Sequence, residues 1–249
     1  MHGFHSYVKE SALHCEILSK GKGPPIVFLH GFLGSGQDWK KVVSHLKGRT
    51  CLAYDLPGHG NTPWTTMEIE DLLASALPPQ MVDLVGYSMG GRLAMRFALN
   101  HPHRIHTLTL LSTHSGLKSE EEKIQRLQAD RVWAQKILVL PFDEFLFSWY
   151  KQPVFSSMQS KPVLIQEIVS MRKTQRPKEL VTAMLNWSLG RQECYRDRLL
   201  KFQRPWRLLY GQNDHKFSEL YADWPQARCI SSAGHALHYE APQEVASFL

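Results

Sequence analysis

The run Val85-Gly86-Tyr87-Ser88-Met89-Gly90-Gly91 sets a serine between glycines in the spacing Gly-x-Ser-x-Gly, with an apolar run before it and a helix-like segment after it. At such a strand-to-helix turn the serine sits in a tight, strained backbone and its oxygen points outward. Gly86 and Gly90 are small because strand and helix approach too closely there for side chains. The helix that follows aims its N-terminal partial positive charge at chemistry on the serine oxygen. Without that context the pentapeptide is also what a chance glycine-rich turn looks like, so its weight rests on the flanking elements and on the partners below.

A serine hydroxyl is a poor nucleophile or base until a histidine takes its proton and a carboxylate orients that histidine. Behind a turn of this kind the partners follow in the order acid, then histidine. Asp214 ends Tyr210-Gly211-Gln212-Asn213-Asp214, directly after a strand candidate, and His235 ends Ser232-Ala233-Gly234-His235 after the next one. Both positions fall at carboxyl ends of strands, where open parallel sheets place their sites. The chain has 13 histidines, and a lone histidine is more often structural than catalytic. His30, His59 and His238 remain in that class, while His235 has both the order and the upstream carboxylate. Asp55 is the rival acid, but it precedes Ser88 and heads Asp55-Leu56-Pro57-Gly58-His59-Gly60, whose Pro and Gly mark a fixed loop. The predicted catalytic set is Ser88, Asp214 and His235. His30-Gly31-Phe32-Leu33-Gly34 follows another strand candidate, and the backbone N–H groups of Phe32 and Met89 are the expected donors to an oxygen gaining negative charge.

The elements that must position these groups are legible in outline. Strand candidates are Cys15–Leu18, Pro25–His30, Cys51–Asp55, Val82–Tyr87, Thr107–Ser112, Trp206–Tyr210 and Arg228–Ser231. Helix candidates lie near Trp39–Leu46, Met67–Ala76 and Gly90–Leu99, with a last one from Pro242. Val-, Ile- and Leu-rich runs separated by helices predict an α/β fold, a mostly parallel sheet covered on both faces. Between the fifth and sixth strands the character changes to helices alone: Ser119–Leu138, Phe142–Tyr150, Pro162–Lys173 and Pro177–Leu189. Pro162 and Pro177 suit first-turn positions, and the Glu120-Glu121-Glu122 run suits a solvated helix start. The expected organisation is a core of residues 1–112 and 205–249, with residues 113–204 inserted as a helical cap over one end of the sheet.

Composition excludes several classes. With 43% hydrophobic and 21% charged residues the chain is neither disordered nor fibrous. Its longest apolar runs are strand-length, far short of the roughly 20 residues a membrane helix needs, so no membrane insertion is expected. Met1-His2-Gly3-Phe4-His5 carries no basic-then-apolar signal, and Cys15, Cys51, Cys194 and Cys229 show no paired spacing, so a cytoplasmic location with reduced thiols is expected. The net charge of +6 is spread along the chain with no basic block, which argues against nucleic acid and suits a small polyanion drawn into a cleft. No obligate protein partner is inferred.

Arg92, four residues after Ser88, lies one turn into the helix behind the serine, so a carboxylate near the nucleophile could be gripped by its guanidinium. Arg126, Arg131 and Arg172 lie on cap helices, where any single arginine is more often a solvated residue. The four motifs together resemble the α/β-hydrolase superfamily along the whole chain apart from the cap. Within it, Asp130-Arg131-Val132-Trp133-Ala134-Gln135, Trp149-Tyr150-Lys151-Gln152-Pro153-Val154-Phe155 and Gly211-Gln212-Asn213-Asp214-His215-Lys216-Phe217 closely resemble the 2-succinyl-6-hydroxy-2,4-cyclohexadiene-1-carboxylate synthase (MenH) family of menaquinone biosynthesis. Around Lys161–Arg172 the match takes one extra residue.

That resemblance implies a lyase, with no metal or organic cofactor, that removes pyruvate from an enolpyruvyl-cyclohexene tricarboxylate. It implies that Ser88, made basic by His235 and Asp214, takes the ring proton α to the succinyl ketone, while the Phe32 and Met89 N–H groups hold the enolate. It further implies that Arg92, Arg126 and Arg172 bind substrate carboxylates and that Tyr87 and Trp149 line the site, with Phe155 and Lys216 as additional contacts. The same triad could serve a serine carboxylesterase or C–C bond hydrolase, which would show burst kinetics and turn over simple nitrophenyl esters. A non-catalytic ligand receptor on this fold would bind without turnover.

Overall fold

The computed structural model describes residues 13–249; the opening Met1–His5 segment, read above for a leader signal, lies outside them. Seven strands, β1 (Cys15–Ser19), β2 (Ile26–Leu29), β3 (Cys51–Tyr54), β4 (Val82–Tyr87), β5 (Ile105–Leu111), β6 (Trp206–Gly211) and β7 (Ala227–Ile230), form one sheet in the order β1-β3-β2-β4-β5-β6-β7. Only β1 runs antiparallel to its neighbour. The sheet is thus the mostly parallel one expected, with both faces covered. The alternation along β2 shows how. Val27 and Leu29 join one apolar cluster with residues of the helices on that face, whereas Ile26 and Phe28 join another with Trp39 and Leu237.

The helices are α1 (Lys40–Val43), α2 (Ile69–Ala76), α3 (Ser88–Asn100), α4 (Glu120–Val139), α5 (Phe142–Tyr150), α6 (Pro162–Arg172), α7 (Pro177–Asn186), α8 (Arg196–Leu200), α9 (His215–Tyr221), α10 (Leu237–Glu240) and α11 (Pro242–Ala246). The candidate at Trp39–Leu46 proves to be a 3-10 turn at Gly36–Trp39 followed by the single turn of α1. Short helices α8, α9 and α10 have too few residues to show a periodic pattern and were not expected. Among the described residues no helix is long and apolar enough to cross a membrane.

Everything between β5 and β6 is helix, turn or loop. α4 starts on a capping box: Ser119 Oγ accepts the Glu122 N–H and the Glu122 carboxylate accepts the Ser119 N–H. The exposed Glu120–Glu122 run is the solvated start expected of it. A third apolar cluster unites Ala134, Phe145, Tyr150, Ile168 and Leu180 of this segment with Leu33, Ala236 and Tyr239 from loops and helix of the sheet-bearing part. Burial of that shared cluster seats the helical segment over the carboxyl ends of the strands.

Candidate active site

Ser88 stands at the junction of β4 and α3 with φ at +50°, a left-handed conformation that a side-chain-bearing residue adopts at a cost of about 1–3 kcal/mol. Its neighbours explain how that is sustained. A Cβ on Gly90 would lie 2.2 Å from the His30 carbonyl oxygen, and one on Gly86 would lie 2.5 Å from Gly91 Cα. The start of α3 is therefore pressed onto both its own strand and the loop after β2. That loop passes close to the serine: a Cβ on Gly31 would sit 3.6 Å from Ser88 Cβ. The next residue in this loop is Phe32. Met89, second in α3, has an N–H with no intrahelical acceptor. Both predicted backbone donors thus come from segments that abut the serine.

The loops after β6 and β7 touch in the same way. A Cβ on Gly211 would meet the carbonyl oxygens of Ala233 and Gly234 at 2.3 Å, and Asn213 N–H donates to Ala233 O at 2.8 Å. This contact brings Asp214 and His235 together, both buried. His235 Nδ1–H donates to Asp214 Oδ2 at 2.7 Å, which leaves Nε2 to accept from Ser88 Oγ at 3.4 Å. Asp214 also caps α9 by accepting the Phe217 N–H at 3.4 Å. The relay from carboxylate to imidazole to hydroxyl is complete.

Asp55 is excluded as the acid by its bonds. Its oxygens accept the N–H groups of Gly36 (2.7 Å) and Asn61 (2.8 Å), so it fixes two loops to each other. His30 is structural as well. Leu56 N–H donates to its Nε2 at 2.9 Å, so its Nδ1–H faces Gly31 O at 2.7 Å, and burial pushes its pKa down. His238 lies buried behind the site, its ring tilted against Tyr87 with centroids 4.3 Å apart; burial drives its pKa down to about 3.

Above Ser88 lies a cavity of about 400 Å³, floored by Ser88 and His235 and roofed by the helical segment. Phe32, Met89, Arg92, Arg126, Trp149, Phe155 and Lys216 all line it, as does His235. Phe32 packs against Trp149 at 5.1 Å, and the Phe155 ring meets His235 edge-on at 5.6 Å. Arg92 donates to two neutral acceptors, Gln192 Oε1 (3.0 Å) and Trp187 O (2.6 Å), so its charge is not cancelled. Burial, then the nearby Arg126 charge, pushes its pKa down to about 9, still protonated at neutral pH. Lys216 is pushed down by the same two causes in the same order. Arg126 donates through Nε to Asp130 Oδ1 at 2.8 Å. The cavity wall thus carries three cations and one carboxylate, Asp130, together with aromatic rings.

Two predicted contacts are corrected. Arg172 does not line the cavity: it is buried, and its Nη1 and Nη2 each donate at 2.7 Å to one oxygen of Asp38, with Tyr239 and Tyr150 hydroxyls completing its surroundings. A carboxylate of the protein already occupies the fork that was assigned to substrate. Burial alone would raise the Asp38 pKa, but the Arg172 charge and hydrogen bonds outweigh it and hold it low. Tyr87 also lies off the cavity, with its ring packed behind the triad against His235 (5.5 Å) and His238. Sequence reasoning missed Asp130 and His114, which also line the cavity. The spacing of four between Arg126 and Asp130 on one helix was the available signal for the first. For the second it was a histidine just past the carboxyl end of β5.

The model of the α/β hydrolase fold family matches residues 24–242 of the chain. A 2-succinyl-6-hydroxy-2,4-cyclohexadiene-1-carboxylate synthase of Enterobacter sp. (strain 638) is 33% identical over 234 residues, covering 91% of this chain and 90% of that one. Among solved structures, MenH from S. aureus superposes with a TM-score of 0.84 at 27% identity, over 94% of this chain and 96% of that one. A thermophilic esterase from Thermogutta terrifontis, solved with malate bound, superposes with a TM-score of 0.77 at 25% identity, over 95% and 90% of the two chains. With the family match spanning most of its length and that identity running across nine-tenths of it, the chain belongs to the α/β hydrolase fold family and, within it, to the 2-succinyl-6-hydroxy-2,4-cyclohexadiene-1-carboxylate synthase family.

Proposed function

We propose that the protein is a carbon–oxygen lyase that converts 5-enolpyruvoyl-6-hydroxy-2-succinyl-cyclohex-3-ene-1-carboxylate to 2-succinyl-6-hydroxy-2,4-cyclohexadiene-1-carboxylate and pyruvate, a step of menaquinone biosynthesis. The observation that carries the reading is the trio Arg92, Arg126 and Lys216 on the wall of a cavity that also exposes Ser88 and His235. A site for a neutral ester has no use for three cations beside its nucleophile, whereas a substrate with three carboxylates does.

In this reading Ser88 Oγ passes its proton to His235 Nε2 and takes the ring proton α to the succinyl ketone. Asp214 stabilises the imidazolium through Nδ1–H. The ketone oxygen becomes an enolate held by the N–H groups of Phe32 and Met89, each donor contributing about 2.7–4 kcal/mol in comparable sites. The electron pair then moves through the ring double bond, the C–O bond to the enolpyruvyl group breaks, and that group departs to become pyruvate on protonation. Trp149 and Phe155 exclude water from the enolate. Residues 113–204 act as a cap on a core of residues 1–112 and 205–249. We infer a small-molecule tricarboxylate as the partner, not nucleic acid, and a reaction in the cytoplasm, supported by four cysteines that stand as free thiols.

Purified protein mixed with the tricarboxylate should release pyruvate rapidly, and Ser88→Ala should lower that rate about a thousandfold or more. Release at the uncatalysed rate would overturn the lyase reading. Burst hydrolysis of nitrophenyl esters in its place would favour the esterase or C–C hydrolase.

A further inference from the structure

We propose that His114 supplies a neutral, directional hydrogen bond from Nε2–H to a carboxylate oxygen of the substrate; the inference deepens the lyase reading and rests on it. His114 follows β5 and lines the cavity. The Gly116 N–H donates to its Nδ1 at 3.0 Å, so Nδ1 holds a lone pair and the ring proton must be on Nε2. The turn that makes this bond requires glycine: Gly116 has φ at +124°, and a Cβ there would lie 2.4 Å from Glu193 O. The tautomer is thereby fixed by backbone. Nε2 has no acceptor among the described residues and is not sealed from solvent, and the residue that carries it lines the cavity.

The charges around the ring keep it neutral. Burial, then Lys216 from α9, Arg92 from α3 and Arg126 from α4, hold its pKa down to about 4, against the opposing pull of Glu122 on α4. His114 is also linked to one of those cations: its carbonyl accepts from Gln192 Nε2 at 3.4 Å, and Gln192 Oε1 accepts from Arg92. The three cations draw a polyanion in but discriminate weakly among its oxygens. An uncharged donor fixed by backbone adds direction without adding charge, which is how a polar site rejects a ligand lacking the matching acceptor.

Two variants separate binding from structure. His114→Asn places an amide oxygen near Nδ1, where it can still accept the Gly116 N–H, but removes the Nε2 donor. His114→Gln reaches the Nε2 position with an N–H and gives up the Gly116 bond. Each would be measured for KM in pyruvate release, for Tm, and for the calorimetric Kd of 2-(3-carboxypropanoyl)benzoate, a stable aromatic dicarboxylate that carries the succinyl and ring-carboxylate groups of the substrate and lacks its hydroxyl and enolpyruvyl groups. In the wild type, the Nε2 resonance of His114 would be followed by nitrogen NMR during titration with that probe. The expected result is a rise of about five- to tenfold in KM and Kd for His114→Asn, values within about twofold of wild type for His114→Gln, and a wild-type Nε2 shift on binding. The reverse order, equal loss in both variants, or an unmoved Nε2 resonance would overturn the proposal. So would a wild type that does not bind the probe. A wild type that binds the probe with this pattern but releases no pyruvate would overturn the lyase reading and leave His114 as an anion ligand.

Discussion

At the α6 end of the helical segment Arg172 is buried with both Nη groups on Asp38, whereas at the α4 end Arg126 gives only Nε to Asp130 and lines the cavity. The surroundings follow the same division. Just past α6, Gln175 Nε2 donates to the carbonyls of Leu33 and Gly34, and its Oε1 accepts the Gly60 N–H. Arg176 donates to the carbonyls of Gly60 and Thr62, and Glu179 accepts the Trp64 N–H. These bonds fasten that end to the loops after β2 and β3. The bonds around Arg126 stay within the helical segment: Asp130 accepts from Ser188 Oγ at 2.6 Å, and Ser188 Oγ accepts the Gly190 N–H. A guanidinium whose two ends are matched by a protein carboxylate holds structure. One held by its Nε alone can meet a ligand.

The largest effect that could break this contrast is on stability. Arg172→Met leaves the Asp38 charge buried without its partner and should cost about 3–5 kcal/mol, a fall of roughly 10 °C in Tm for a chain of this size. Asp38→Leu combined with Arg172→Met should recover most of the loss, because paired hydrophobic replacements of a buried ion pair are often tolerated. A large KM change with an unaltered Tm would restore Arg172 as a substrate ligand. Arg126→Gln is expected to do the opposite: KM for the tricarboxylate rises about ten- to a hundredfold, as loss of a charge-assisted hydrogen bond does, while Tm moves by no more than a few degrees. Comparable shifts in Tm and KM for both arginines would erase the distinction.

A smaller effect should appear with pH at the fastened end. His238 packs against the rings of Trp39 and Tyr239 beside the Asp38–Arg172 pair and stays neutral in the fold down to about pH 3. The unfolded chain takes up that proton near pH 6.5, so the stability His238 contributes is full above 6.5 and is lost as pH falls from there towards 3. His30 and His59, whose pKa values burial also lowers, act in the same direction. One such histidine costs on the order of 1–2 kcal/mol at pH 5. Thermal melts at pH 7.5 and pH 5 should differ by several degrees, and His238→Phe should narrow the gap. Equal gaps in wild type and variant would remove His238 from the account.

Legibility in the sequence tracked the range of the interactions. All seven strands were visible as short runs, most plainly β2, β4 and β5, whose apolar residues are buried on both faces of the sheet. The glycines around Ser88 announced close approach of strand and helix, and the structure shows the atoms they avoid. Lys216 and Phe155 were contacts implied by the resemblance alone, and the fold brings both to the cavity wall. Tyr87 adjoins the serine in the chain, yet strand alternation turns its ring to the opposite face, behind the triad. The short helices α8, α9 and α10 carry too little periodicity to be read.

The sequence by itself determined the α/β architecture and the triad, because a strand-end serine between glycines, and an acid and a histidine on later strand-end turns, are set by short stretches of backbone. Only the tertiary structure decided what each arginine does. Asp38 lies 134 residues before Arg172, and Ser188 lies 58 residues beyond Asp130. A charge is neutralised by whichever carboxylate folding brings to it, and that partner has no signature in the residues beside it.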